Sequence, residues 1–185
     1  MTVAPVILGT QKWIQEFVVG HNICPFARKE FERGSVDYSV FTGNDTEKAL
    51  HSLLALCEKL DNDEAIETTF LILADGFADF YQYLDLLALA NSLIVQQDYE
   101  GIYQLASFHP EYCFEGEDAR DASNYSNRSP YPMLHIIREE RLEKALEYYS
   151  SPEEIPERNI AHCRELGVNA LEKILKQCRD AGGVK

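Results

Sequence analysis

The run TFLILA, residues 69–74, decides how this chain is expected to fold. It is a continuous apolar stretch, and such stretches are typical of strands that are covered on both faces of a sheet. Asp75 and Gly76 end the run. Apolar residues at helical spacing precede it from residue 44 or 45 to about residue 60, and follow it over residues 77–97. The pattern therefore predicts a central strand between two covering helices.

Three further strands are predicted, at residues 35–41, 102–108 and 133–138. The order strand–helix–strand–helix–strand favours parallel neighbours joined by right-handed crossovers. The last strand follows its predecessor without an intervening helix, so we expect it to run antiparallel. The expected fold class is α/β, a mixed sheet of about four strands covered by helices. The alternative is an α+β arrangement with a ferredoxin-like split βαβ unit.

The remaining segments predict helices at residues 10–20, 26–33 and 141–149, and a last helix from Pro156 onward. A chain of 185 residues is expected to form a single domain, residues 1–185. Its core is expected at about residues 10–178 and a frayed C-terminal tail at 179–185. A chain of this length buries roughly 70% of its unfolded surface, so it needs neither a disulfide nor a metal to fold.

The charge of the chain argues against two classes of partner. Seventeen basic and 31 acidic residues give a net charge of −14, which disfavours nucleic acids and anionic membrane surfaces. No segment reaches the roughly 20 apolar residues of a transmembrane helix, and the first residues lack the features of a signal peptide. Five scattered cysteines without a CxxC pair are typical of a reducing compartment. We therefore expect a cytoplasmic protein, whose oligomeric state the sequence leaves open.

A long polar segment between the last two strands is the main candidate for a functional site. Residues 110–131 show no periodicity, and loops longer than about 12–15 residues in compact domains are usually functional or disordered. Order is expected here, because the loop contains aromatic residues that can anchor it, namely Tyr112, Phe114, Tyr125 and Tyr131. The alternative is a packed surface loop without catalytic value.

Two residues are candidates for catalysis. His109 ends a predicted strand, where ligands gather in sheets with crossover helices, and a histidine there can move protons. Cys24 lies in a turn beside His21 and close to Arg28, and such a cationic neighbourhood is expected to lower its pKa. If the turn folds against the strand ends, His109 would be the base of Cys24. The alternatives are a hydrogen-bonded structural histidine and a buried packing cysteine.

Five further residues are candidates for holding a substrate: Asn127, Arg128, Ser129, His135 and Arg138. Prolines at 130 and 132 stiffen the segment that presents Arg128, and an arginine suits a planar anion. Arg128 could instead brace the loop against Asp118 or Asp121. Arg138 could pair with an adjacent glutamate at the surface, and His135 shares its strand face with apolar residues, which is a core-like position.

The sequence indicates no cofactor. It contains neither GxxxxGK nor GxGxxG, and none of the spacings HxH, HxxxH and HExxH occurs. A metal site built from Cys24, His109 and His135 with an added carboxylate is conceivable, but no spacing predicts one.

Several multi-residue blocks are distributed along the chain: NICPFA at 22–27, ETT at 67–69, QLASFHP at 104–110, NRSPYP at 127–132, LHIIRE at 134–139 and IPERNI at 155–160. Together they resemble an uncharacterised family, domain of unknown function 1415 (DUF1415). The likeness extends from about residue 10 to residue 175 and implies a soluble single-domain protein, with no established activity or cofactor.

These observations predict an enzyme that acts on a small anionic metabolite. In this hypothesis Arg128 and Arg138 hold the anion, His109 moves protons, and Cys24 is the nucleophile or a second polar group. One alternative is a non-catalytic module that binds a small molecule or a metal. Another is an interaction protein that docks through the aromatic loop 110–131.

Overall fold

The computed structural model describes residues 3–181 and contains a mixed sheet of four strands. Strands β1 and β2 are parallel, and β4 is antiparallel to both β2 and β3. The predicted α/β class, the four strands and the antiparallel direction of the last one are therefore confirmed. The strands are β1 Val36–Phe41, β2 Thr68–Leu73, β3 Tyr103–Phe108 and β4 Met133–Arg138.

The position of β4 within the sheet differs from the prediction. The sequence favoured β2 and β3 as parallel neighbours, whereas the observed order is β1-β2-β4-β3. Strand β4 can occupy an inner position because Leu134 and Ile136 are buried on one of its faces and Met133 on the other. Strand β2, the helix after it and β3 thus form a split βαβ unit with β4 inserted, which is the local feature of the alternative prediction.

Within residues 3–181, seven α-helices surround the sheet. A π-helical segment, Ile14–Val19, continues the first helix, and the predicted last helix is two helices because Gly167 has a φ of 77° between them. Residues 179–181 form the end of the last helix, whereas residues 182–185 of the predicted frayed tail lie outside the described residues. The helices are α1 Val3–Trp13, α2 Ala27–Arg33, α3 Thr46–Asn62, α4 Phe80–Gln96, α5 Glu139–Glu147, α6 Ile155–Leu166 and α7 Val168–Ala181.

The sheet separates two apolar cores. Helices α3 and α4 cover the face that carries Leu71 and Leu73, which we call the α3 face. Helices α1, α6 and α7 and the π-helical segment cover the face that carries Phe70 and Ile72, which we call the α1 face. All six residues of β2 are buried, as expected for a strand covered on both sides. None of the helices in the described range is long and apolar enough to cross a membrane.

Gly9 allows α1 to pack closely against α7. A Cβ atom at this position would lie 2.8 Å from the backbone oxygen of Cys178. Because the two helices would have to move apart, we expect Gly9→Ala to lower the free energy of unfolding by about 1–3 kcal/mol, measured by urea denaturation. Leu8→Ala, on the exposed side of α1, is the matched control and should change stability by less than about 0.5 kcal/mol. Equal stability of the Gly9 variant and the wild type would contradict this packing argument.

Candidate functional site

The predicted site residues do not lie together. His109 follows the end of β3, and Arg138 is the last residue of β4. In this antiparallel pair Phe108 lies opposite Met133, and Tyr103 lies opposite Arg138. Strands of this length span roughly 17–20 Å, so His109 and Arg138 lie at opposite ends of the sheet. One small pocket cannot hold both.

His109 uses both ring nitrogens inside the fold. Its side chain is fully buried, Nδ1 accepts the backbone N–H of Glu111 at 3.0 Å, and Nε2 donates to the backbone oxygen of Phe77 at 3.0 Å. The ring lies 5.1 Å from that of Phe80 and 5.0 Å from that of Tyr83, centroid to centroid. Burial lowers the pKa of His109. The imidazole is therefore neutral and leaves no nitrogen free in this conformation for a substrate or for Cys24.

Asn127 and Ser129 close the loop on itself. The Asn127 side-chain amide donates to the backbone oxygen of Ser107 at 3.2 Å, and its own backbone oxygen accepts the N–H of His109. The hydroxyl of Ser129 is fully buried and donates to the backbone oxygen of Tyr131 at 2.6 Å. Both polar side chains thus stabilise the turn that joins the loop to β3 and β4.

Arg128 braces the loop, although through backbone groups and not through the carboxylates considered in the sequence. Its Nε donates to the oxygen of Tyr112 at 3.0 Å and its Nη2 to the oxygen of Ala119 at 2.7 Å. The guanidinium lies 4.6 Å from the ring centroid of Tyr125. Asp121 instead binds Arg164 of α6, at 3.0 Å between Oδ1 and Nε. The loop is therefore fastened to α6 by an ion pair and stiffened internally by Arg128.

The four aromatic residues of the loop point into the protein, which fits their predicted role as anchors. Tyr125 and Tyr131 are buried, and Tyr112 and Phe114 are half-buried. Tyr112 also packs against Phe80 of α4 at 5.4 Å between ring centroids. The loop therefore offers little aromatic surface on which a partner protein could dock.

Arg138 caps the end of α3. Its guanidinium donates to the backbone oxygens of Leu60, Asp63 and Ile66, and also contacts the hydroxyl of Tyr103. The oxygens of Leu60 and Asp63 lie at the C-terminus of α3, where a helix leaves carbonyls without intrahelical partners, and each also accepts one backbone N–H. Ile66 belongs to the segment that follows the helix. Arg138 is thus bound to the fold from several sides, and the predicted surface pair with a neighbouring glutamate is not formed.

Cys24, in contrast, lies beside an arginine that the sequence analysis did not single out. The Cys24 turn, residues 20–26, packs against the start of α6. Arg158 donates to the backbone oxygen of Asn22 at 2.6 Å, and Asn159 donates to that of Ile23 at 2.8 Å. Asn22 has a φ of 54°, and these two bonds hold the turn in that conformation. Residues 136 positions apart are thereby brought together around Cys24.

Two histidines meet next to this turn. Nδ1 of His21 lies 3.1 Å from Nε2 of His162 in α6, and both side chains are half-buried. Burial, and then the neighbouring His162, lower the pKa of His21. At neutral pH the pair is therefore held by a hydrogen bond that one ring donates and the other accepts. We call Cys24, Arg158, His21 and His162 together the Cys24 site.

The expected thiolate at Cys24 is not what the structure favours. Burial raises the pKa of the Cys24 thiol, and the backbone N–H groups of Phe26 and Ala27 and the charge of Arg158 offset this only in part. The basic side chains of α2 that suggested a lowered pKa point elsewhere, since Arg28 pairs with Glu32 at 3.6 Å. Cys24 is thus a neutral thiol at neutral pH.

His135 has a different environment from the other predicted residues. It lies on the α1 face of β4, with its ring stacked on Phe70 at 3.9 Å between centroids and 5° between planes. Its Nε2 lies 2.6 Å from the hydroxyl oxygen of Thr68. Burial lowers the pKa of His135 to about 3, so the ring is neutral.

The conceivable metal site from Cys24, His109 and His135 is not assembled. Cys24 lies near Arg158 of α6, whereas His109 is bonded to Phe77 and packs against Phe80 of α4. Across the part of the chain that the structure describes, no group of three or more His, Cys, Asp or Glu side chains is placed to hold a metal ion.

The geometry of the Cys24 turn joins two of the sequence blocks, NICPFA at 22–27 and IPERNI at 155–160. The sequence profile of the family described as "Protein of unknown function (DUF1415)" matches residues 5–173. The chain belongs to the DUF1415 family. No curated protein and no solved structure matches it. In this DUF1415 protein, the block IPERNI contains Arg158. That block was the sequence signal from which Arg158 could have been predicted as a site residue.

Proposed function

We propose that this DUF1415 protein is an enzyme acting on a small anionic metabolite, which binds at the Cys24 site. The observation that supports the proposal is that Arg158 has only neutral hydrogen-bond acceptors. This half-buried guanidinium donates to the hydroxyl of Tyr149, the oxygen of Asn22 and the amide oxygen of Asn159, all of them neutral acceptors. Among residues 3–181, no carboxylate lies within 4 Å of it.

The acidic composition makes such an arginine informative. The chain has 31 acidic residues and a net charge of −14, and arginines elsewhere, such as Arg28, Arg33 and Arg164, do contact carboxylates. Arg128, Arg138 and Arg179 also lack a carboxylate and are bonded to backbone oxygens, as Arg158 is to that of Asn22. What sets Arg158 apart is the chemistry of its neighbours. Arg158 stands beside a thiol and two histidines. A guanidinium in such a setting suits a carboxylate or a phosphate.

In this proposal Arg158 holds the anion and Cys24 is the nucleophile or a second polar contact. His109, Asn127, Arg128, Ser129 and Arg138 support the fold around the site. The net charge supports a small molecule as ligand in preference to a nucleic acid. All five cysteines are free, which supports a cytoplasmic location.

A non-catalytic module that binds a small molecule is the second candidate. The observation that favours it is the raised pKa of Cys24, since catalytic cysteines usually have lowered pKa values. In this alternative Cys24 contacts the ligand as a neutral thiol and no covalent bond forms.

Removal of the Arg158 charge tests the binding of an anion by Arg158, which both candidate functions require. We expect Arg158→Met to weaken the binding of malate and of inorganic phosphate by about 10–100-fold, because a hydrogen bond to a charged group contributes about 1.5–3 kcal/mol. Calorimetric titration is the measurement, with circular dichroism to verify folding. Arg120→Met, at an exposed arginine, is the matched control and should bind like the wild type. Equal binding by the Arg158 variant would contradict the proposal.

Alkylation of Cys24 by iodoacetamide distinguishes the two candidates. Because burial raises the pKa of Cys24, we expect its reaction at pH 7.5 to be slower than that of free cysteine, with a higher pH midpoint. Arg158→Met should move the midpoint further upward, since the positive charge that lowers the pKa is lost. Peptide mass spectrometry resolves Cys24 from the half-buried Cys113. A midpoint below that of free cysteine would contradict the neutral thiol and favour the nucleophile.

A further inference from the structure

His135 presents an unused hydrogen-bond acceptor on the α1 face of the sheet. We propose that Nδ1 of His135 accepts a hydrogen bond from a hydroxyl group of the ligand, so that the metabolite is a hydroxylated anion. This inference rests on the proposed function, because Arg158 supplies the contact to the anionic group. It adds a second binding residue and the chemical class of the ligand.

The hydrogen bonds of Thr68 determine which nitrogen of His135 carries the proton. The hydroxyl oxygen of Thr68 lies 2.6 Å from the backbone oxygen of Ile136 and 2.6 Å from Nε2 of His135. A carbonyl oxygen cannot donate, so the single hydroxyl proton of Thr68 points to Ile136. Nε2 must therefore donate to Thr68, and the neutral ring has its lone pair at Nδ1.

Nδ1 is available to a ligand. It makes no hydrogen bond to any of residues 3–181, and it is not one of the buried unpartnered atoms of this range, which are Trp13 Nε1, Ser123 Oγ and Tyr131 Oη. His135 is half-buried and Thr68 is buried. Stacking on Phe70 fixes the plane of the ring. The acceptor thus has a fixed direction, which is what selective recognition of one donor requires.

The surroundings of His135 favour a hydroxyl group over an ammonium group. The strand residues on the α1 face include no acidic side chain; they are Val36, Tyr38, Val40, Thr68, Phe70, Ile72, Gln104, Ala106, Phe108, Met133, His135 and Ile137. The strands therefore offer no carboxylate to a partly buried ammonium, which disfavours one at this position. A hydroxyl needs only the neutral acceptor that His135 offers.

His135 and the Cys24 site lie on the same side of the sheet. Ile23 belongs to the buried cluster that also contains Phe70, and Ala27 packs against that cluster. On the other flank, α5 leads from the end of β4 to Tyr149, which bonds to Arg158. The histidine and the arginine are therefore placed on one side of the sheet and linked along the chain by β4 and α5, so one ligand can be tested against both.

Thr68 is the positioning residue in this arrangement. Nitrogen-15 NMR of the histidine rings should show an unprotonated Nδ1 and a protonated Nε2 for His135 in the wild type. Thr68→Ser should retain this state, whereas Thr68→Val should give a mixture of tautomers. A protonated Nδ1 in the wild type would overturn the inference, because the ring would then have no acceptor to offer.

Matched ligands provide the decisive test. We expect malate to bind at least about tenfold more tightly than succinate, and gluconate more tightly than hexanoate, each time with a shift of the His135 Nδ1 signal. His135→Phe should abolish the preference for the hydroxylated member, whereas Arg158→Met should weaken all four. If all four acids bind through Arg158 without preference and leave Nδ1 unchanged, the inference is overturned while the proposed function stands. If none of them binds, both fail.

Discussion

Replacement of His109 by alanine is expected to lower the free energy of unfolding by about 3 kcal/mol. The substitution leaves the buried oxygen of Phe77 and the partly buried N–H of Glu111 without their partner, and a buried loss of this kind costs about 1–3 kcal/mol. It also opens a cavity beside Phe80 and Tyr83. Phe77 has a φ of 58°, an uncommon backbone conformation that the bond from His109 helps to hold.

For a domain of this size the change corresponds to a fall in Tm of roughly 6–12 °C. Differential scanning calorimetry measures it, with His51→Ala, at an exposed position of α3, as the control that should leave Tm unchanged. Because burial lowers the pKa of His109, the unfolded chain takes up a proton below about pH 6.5 that the folded chain does not. The wild type should therefore lose more stability than the variant as the pH falls. If His109→Ala is as stable as the wild type, the structural role of His109 is contradicted, and His109 is again a candidate for catalysis.

Replacement of Arg138 by methionine is expected to lower the free energy of unfolding by about 2–3 kcal/mol. The variant keeps much of the apolar stem but removes every donor to the oxygens of Leu60, Asp63 and Ile66. The oxygen of Ile66 then loses its donor, and those of Leu60 and Asp63 keep only the backbone N–H groups of Asp63 and Ile66, at 3.4 and 3.2 Å. Arg138→Lys should recover only part of the loss, because an ammonium cannot reproduce the planar fork.

Urea denaturation is the measurement for Arg138, and Arg120→Met is the control at an exposed arginine. The binding of malate and phosphate should be unchanged in the Arg138 variant as long as it is folded. A loss of anion binding with unchanged stability would contradict the structural role and favour the substrate contact predicted from the sequence.

The strands and most helices could be predicted because their signals are local. The TFLILA run is apolar at consecutive positions, and a strand covered on both faces needs this pattern. The place of β4 between β2 and β3 depends on pairing over long sequence separations, such as Thr68 with Ile137. Such pairing leaves no local pattern, so the order of the strands was missed.

The candidate site could be predicted less well, for a physical reason. Polar residues at strand ends, such as His109 and Arg138, are typical candidates for a functional site. Buried backbone groups, however, also need hydrogen-bond partners, and polar side chains can supply them. In this fold the side chains of His109 and Arg138 form hydrogen bonds with such backbone groups. Cys24 was found from its turn, whereas its neighbour Arg158 lies 134 positions later in a helix of ordinary composition. The contact between them depends on tertiary packing.

The most direct test of the account is the NMR signal of the arginine Nε–Hε groups during titration with malate. Arg158 donates through its Nη atoms and makes no hydrogen bond through Nε within residues 3–181, whereas Nε of Arg128 and of Arg138 donates to backbone oxygens. We expect the Arg158 signal to shift saturably while the Arg128 and Arg138 signals remain in place. Shifts at Arg128 or Arg138 with an unchanged Arg158 signal would contradict it.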